Sequence, residues 1–217
     1  VQPFWTDFIT IALAHFLAVA SPGPDFTIVA QHSLTAGRRT AYWTSAGIGL
    51  GILVHVTYAL LGIGWMMREN ALLFEGIKVA GAVYLIYLGW RGLRSQKPSA
   101  AQTSPQSASH PLTGLQALRT GFITNVLNPK ATLFFVALFS VVVSTATPRW
   151  ALAVYGVWMS LATLLWFIGI ATLFGHPRIR NRLVSHTHWI DRCMGLVLLG
   201  IGLHLLIFDQ NLLAIAS

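Results

Sequence analysis

The sequence predicts an all-α, polytopic membrane protein: six transmembrane helices arranged as two inverted three-helix repeats, with helices 1 and 4 broken at proline motifs. Three observations lead there. The 217 residues are 55% hydrophobic and 9% charged, with mean hydropathy +0.65, whereas an average soluble domain is about a quarter Asp, Glu, Lys and Arg. Six apolar tracts alternate with short polar breaks, and two of those tracts are interrupted by proline at corresponding places. A chain this poor in charge cannot clothe a globule in solvated groups. That excludes a soluble enzyme, a disordered chain and a nucleic-acid binder, in spite of a formal charge of +8. Cys193, the single cysteine, excludes a disulfide framework.

In chain order the tracts are Phe4 to Ala36, Thr40 to Met67, Ala71 to Trp90, Thr113 to Thr145, Trp150 to Phe174 and Ile190 to Phe208. Each reaches the length of about 17 to 25 residues that a helix needs to cross a hydrocarbon core. The polar breaks are Gly37-Arg38-Arg39, Arg68-Glu69-Asn70, Thr147-Pro148-Arg149 and the basic stretch His176 to His188. The segment Ser95 to Pro111 is rich in Ser, Ala, Gln and Pro, a composition that does not pack. The chain therefore divides into a first repeat (1–94), a flexible cytoplasmic linker (95–112) and a second repeat (113–217), all in one transmembrane domain.

With the N-terminus outside, ten of the fourteen Lys and Arg fall on cytoplasmic connections, and only Arg68 and Arg149 on outer ones. Such a bias places both termini outside; the reverse orientation is the alternative. Ala18-Val19-Ala20 resembles a signal-peptide cleavage site. The preceding residues hold Asp7 and no Lys or Arg, and Pro22 follows at once, so the first tract is expected to be retained. Trp5, Trp65, Trp90, Trp150 and Trp189 lie near tract ends, as interface anchors do.

The first and fourth tracts are 33 residues long, about 50 Å as continuous helix against a core of about 30 Å. The first contains Ser21-Pro22-Gly23-Pro24-Asp25-Phe26-Thr27 and the fourth Val126-Leu127-Asn128-Pro129-Lys130-Ala131-Thr132. Proline removes a backbone donor and pushes the residue before it out of helical geometry. Helix 1 should stop near Ala20 and restart with Gly23 as cap and Pro24 in first position; the second break should restart from Asn128, a good N-cap, and Pro129. Aligned on Pro24 and Pro129, an offset of 105, the two segments pair Asp25 with Lys130 and Thr27 with Thr132. Gly47 matches Gly156 at an offset of 109, and Lys78 matches Arg192 at 114. An odd number of helices per copy inverts one copy relative to the other, and matched broken helices in inverted repeats point to a transporter's binding site.

Asp25 and Lys130 are the charges that directly follow the two proline breaks. Asp25 complements the positive end of its helix, but a cation at a helix N-terminus is disfavoured, so Lys130 needs an anion. That anion is Asp25, a substrate carboxylate, or each in turn. A carboxylate opposite an ammonium, beside two half-helix N-termini, suits a zwitterion, with Thr27, Thr132, Asn125 and Asn128 as neutral hydrogen-bonding candidates. His55 is either a hydrogen-bonded core residue or a proton carrier. Gly47 and Gly51, at i and i+4, read as a close-packing stripe. Glu75 and Lys78 read as a snorkelling ion pair. His186 and His188 do not share a helix face, and no metal or cofactor is expected. No HExxH motif, nucleophile elbow or nucleotide-binding motif is present, so neither intramembrane catalysis nor direct ATP use is indicated.

The paired Pro22-Gly23-Pro24-Asp25 and Asn128-Pro129-Lys130 motifs, the glycine-rich second tract, Gly121 to Lys130 and the Trp189-Ile190-Asp191-Arg192 start of the last tract resemble the LysE/RhtB family of bacterial amino-acid exporters over nearly the whole chain. Lys130 followed by Phe134-Phe135, with Phe139-Ser140 after, is most similar to threonine-efflux members. The resemblance implies proton-driven efflux of amino acids across the inner membrane, with Asp25 and His55 as proton-coupling candidates. Threonine- or homoserine-like neutral amino acids are the expected substrates; basic amino acids or other small solutes are the alternative. The expected partners are the substrate, protons and membrane lipid, and the sequence leaves a homo-oligomer open.

Overall fold

The computed structural model describes residues 2–69, 71–96, 112–143, 147–174 and 177–208. Every regular element among them is helical: α1 (Gln2–Ala20), α2 (Pro24–Thr35), α3 (Arg38–Glu69), α4 (Ala71–Leu93), α5 (Gly114–Val126), α6 (Pro129–Val142), α7 (Arg149–Phe174) and α8 (Pro177–Phe208). Most of the predicted linker, residues 97–111, lies outside the described residues, as do Asn70 and the side chains of Trp65 and Arg68.

Both predicted breaks fall where proline chemistry requires. The last bond of α1 runs from Ser21 N to Leu17 O, and the first of α2 from Thr27 N to Gly23 O. Gly23 is the N-cap in extended geometry, with Pro24 in the first turn. At the second break Asn128 caps α6 through its side chain, which accepts from Lys130 N at 3.0 Å. The axes bend by 52° between α1 and α2 and by 55° between α5 and α6. α3 over Arg38–Gly62 and α7 are each long and apolar enough to cross a membrane, and each bent pair qualifies as one broken span. Two further turns are locally encoded. Gly37, with φ of 90°, takes the left-handed conformation between α2 and α3 that other residues rarely adopt, and Thr113 and Gln116 form a capping box at the start of α5.

One boundary differs from the sequence reading. The basic stretch His176 to His188 was expected to be a polar break, yet α8 starts at Pro177 and runs unbroken to Phe208. Proline suits a first helical turn, arginine is a good helix former, and no glycine or proline intervenes before Gly195. Charge there marks the end of the apolar tract, not the end of the helix.

Polarity is distributed inside out relative to a water-soluble fold. His55 and Asn125 are fully buried, whereas Leu61, Leu72 and Leu165 are about 70% exposed (70%, 72% and 67%). Such a surface suits lipid. α3 and α5 interlock through glycine. A Cβ on Gly47 would strike the α5 backbone at Leu118 and Phe122, and one on Gly121 the α3 backbone at Thr44. α4 and α8 pack in the same way at Gly89 and Gly195. Near the start of α4, Lys78 and Glu75 form the expected i, i+3 pair at 3.7 Å. Trp5, Trp90, Trp150 and Trp189 are all exposed.

Candidate functional site

The two breaks face each other across a cavity of about 50 Å³, room for a few water molecules. Asp25, Lys130, Asn125, Asn128, Ser21 and Gly23 line its polar side, and Phe134, Phe135, Phe167, Ile52 and Leu198 are among its apolar walls. Asp25 projects from the first turn of α2 and Lys130 from the first turn of α6. The charged end of each restarted helix thus reaches the same space.

The polar groups are wired across the breaks. Asp25 Oδ2 accepts from Asn125 Nδ2 at 2.9 Å and Asn128 Nδ2 at 3.2 Å, both from the second break. Lys130 Nζ donates to Ser21 Oγ at 2.8 Å and to the Ser21 carbonyl at 3.3 Å, both from the first. Asn128 uses both ends of its amide, the oxygen capping α6 and the nitrogen holding Asp25. Lys130 makes no direct ion pair with Asp25. Its nearest link to a carboxylate runs through Ser21, whose Oγ donates to Asp191 Oδ1 at 2.7 Å; Ser95 Oγ donates to Asp191 Oδ2 at 2.8 Å. Asp191 on α8 therefore joins the end of α1 to the residues just past α4. Asp25 Oδ1 is buried without a hydrogen-bond partner in the protein.

His55 stands behind this network, outside the cavity lining. Its Nε2–H donates to the Asn125 carbonyl at 2.9 Å, which leaves Nδ1 to accept from the Tyr58 hydroxyl at 2.6 Å. Its ring stacks on Phe135 at 5.5 Å and 1°. His55 holds the end of α5 in place. Gly51 serves the same end, because the Asn125 side chain occupies the notch that a Cβ there would fill.

Of the remaining sequence candidates, Thr27 and Thr132 do not line the cavity. Each hydroxyl returns to its own helix, Thr27 Oγ1 to Gly23 O at 2.9 Å and Thr132 Oγ1 to Asn128 O at 3.2 Å. Residues two apart on a helix face different ways, so neither can share the face of its neighbouring charge. Pro22, Pro24 and Pro129 shape the breaks without lining the space. Among the described residues no three of His, Cys, Asp and Glu come together as a metal site.

Sequence reasoning missed Ser21, Asp191, His15 and Thr163 as site residues. His15, like His55, is a histidine inside an apolar tract, although it shares its tract with His32. Asp191 is one of only six acidic residues. Nothing in the sequence distinguishes Thr163.

The profile of the LysE type translocator family matches residues 16–208, nearly the whole chain and both breaks. The chain belongs to the LysE type translocator family. Like other members of that family it is a transporter and not an enzyme. A threonine efflux protein of Salmonella typhi is 36% identical over 205 residues, covering 92% of this LysE-family chain and 97% of the relative. The threonine efflux protein of Escherichia coli (strain K12) is 33% identical over 203 residues, with the same coverage. The uncharacterized membrane protein YahN of the same strain is 27% identical over 198 residues, covering 91% of this chain and 87% of its own. No solved structure matches the chain significantly.

Proposed function

We propose that the chain is a secondary exporter of small neutral amino acids, threonine- and homoserine-like zwitterions foremost, across a bacterial inner membrane in exchange for protons. The observation that carries this reading is the convergence of two half-helix N-termini, one bearing Asp25 and the other Lys130, on one cavity. The substrate ammonium takes the place of the Asn amides on Asp25, and its carboxylate meets Lys130 and the exposed N–H groups of α6. The similarity to threonine efflux proteins supports the substrate class.

The near-equal bends at the breaks support two inverted halves, residues 1–94 and 113–217; three spans in each half and both termini outside rest on the six apolar tracts and the distribution of Lys and Arg. The cavity has room for only a few water molecules, so loading an amino acid involves the halves parting. Asp25 is the first candidate to carry the proton, since its neutralisation releases the substrate ammonium. His55 is the second, and protonating its Nδ1 would reverse the Tyr58 bond, with Nδ1–H donating to the hydroxyl oxygen. Purified protein in liposomes, given labelled amino acids and an imposed pH gradient, is expected to move threonine and homoserine only while the gradient lasts. Absence of flux for every amino acid under that gradient contradicts the reading.

A further inference from the structure

The cavity has a second polar end that the charged residues do not explain. His15 on α1 and Thr163 on α7 both line it, and both are buried to 1% exposure. His15 Nε2 lies 3.2 Å from Thr163 Oγ1, while its Nδ1 is buried with no hydrogen-bond partner in the protein. A histidine kept only for packing leaves that nitrogen desolvated and unbonded, at a cost an aliphatic residue would avoid. The remaining surroundings are apolar: the ring lies 6.0 Å from that of Phe135 and 5.9 Å from that of Trp158.

We propose that His15 and Thr163 form the side-chain end of the transport cavity and read a hydroxyl on the transported amino acid. The inference rests on the exporter reading and names what selects among its substrates. His15 sits five residues before the end of α1, about 7.5 Å along the helix from the break. The reach of the imidazole, a short substrate side chain and one hydrogen bond together span an interval of that order from an α-carbon held between Asp25 and Lys130. Either tautomer serves. If Thr163 O–H donates to Nε2, then Nδ1–H is a donor; if Nε2–H donates to Thr163, Nδ1 is an acceptor. A hydroxyl can answer both, whereas a methyl group answers neither and leaves the imidazole unsatisfied. Sites built around such a bond reject the analogue that lacks it far more strongly than apolar pockets discriminate by size.

Threonine and valine, alike in shape and different in one hydroxyl, are the probes. In liposomes, the wild-type protein is expected to export threonine at least about tenfold faster than valine at equal low concentration. His15→Leu and Thr163→Val bring that ratio towards one, and Thr163→Ser, which keeps the hydroxyl, preserves it. A ratio unchanged in both His15→Leu and Thr163→Val overturns the proposal, including the case in which both rates fall in proportion, as a purely structural role would give. If the wild-type protein exports no amino acid at all, the exporter reading fails and this inference falls with it. Export of threonine and valine at equal rates by the wild-type protein sinks the inference alone.

Discussion

The two helix breaks are built alike and stabilised differently. The first is capped by Gly23, which offers no side chain, and the second by Asn128, whose oxygen accepts from the Lys130 N–H. The first restarts with an acid and the second with a base. What they share is reciprocity: the charge of each break is held by the polar groups of the other. Asp25 is bound by Asn125 and Asn128, and Lys130 by Ser21. Neither break could keep its charge in an apolar interior alone, so the two are parts of one device.

The largest effects should follow from removing a charge. Asp25→Ala or Lys130→Ala leaves its neutral hydrogen-bond partners unsatisfied in a buried site, at a cost of about 1–3 kcal/mol each. We expect export to fall at least about a hundredfold, with the protein still delivered to the membrane, as efflux assays and immunodetection in membrane fractions would register. Equal tolerance of both substitutions would undo the comparison.

The caps should separate the breaks next. Asn128→Ala removes a helix cap, worth about 1 kcal/mol, together with a donor to Asp25. Export should drop about tenfold and the thermal unfolding midpoint should fall. Gly23→Ala should be mild, because a Cβ there meets Lys130 Cδ and Nζ at an ordinary 3.8 Å and the extended backbone suits any residue. The reverse order of severity would show that the first break, not the second, is the rigid one.

A smaller effect is expected along the path from Lys130 to Asp191. Ser21→Ala and Asp191→Asn interrupt the same chain of bonds. Each should slow export a few-fold, and the double variant should be no worse than the single ones. Additive losses would mean that Ser21 and Asp191 act separately. Smallest of all, Thr27→Val should leave export unchanged within error, since its hydroxyl is exposed and spent on its own helix.

The breaks were legible in the sequence to the residue because proline acts on its immediate neighbours. The stop near Ala20 and the caps at Gly23 and Asn128 needed no tertiary information. The placement of Asp25 and Lys130 beside one space followed from their common position after a cap. Their bonding partners did not, because Ser21, Asn125 and Asp191 are brought together by helix packing more than a hundred residues apart in several cases. Thr27 and Thr132, expected beside the charges, lie outside the cavity lining. They match in the repeat alignment, but alignment carries no account of which way a helical residue points. α8 starts ahead of its apolar tract, because arginines extend a helix readily and a run of charge does not by itself mark a loop.

The central claim, that a zwitterion bridges the two breaks, is tested most directly by pairing side-chain changes with ligand changes. Binding of threonine, its amide and its desamino analogue would be titrated calorimetrically against the wild-type protein, Asp25→Asn and Lys130→Gln. The account predicts that Asp25→Asn costs nothing further once the ligand has lost its amine, and Lys130→Gln nothing further once it has lost its carboxylate charge. Losses that simply add, whichever group is removed, would contradict it.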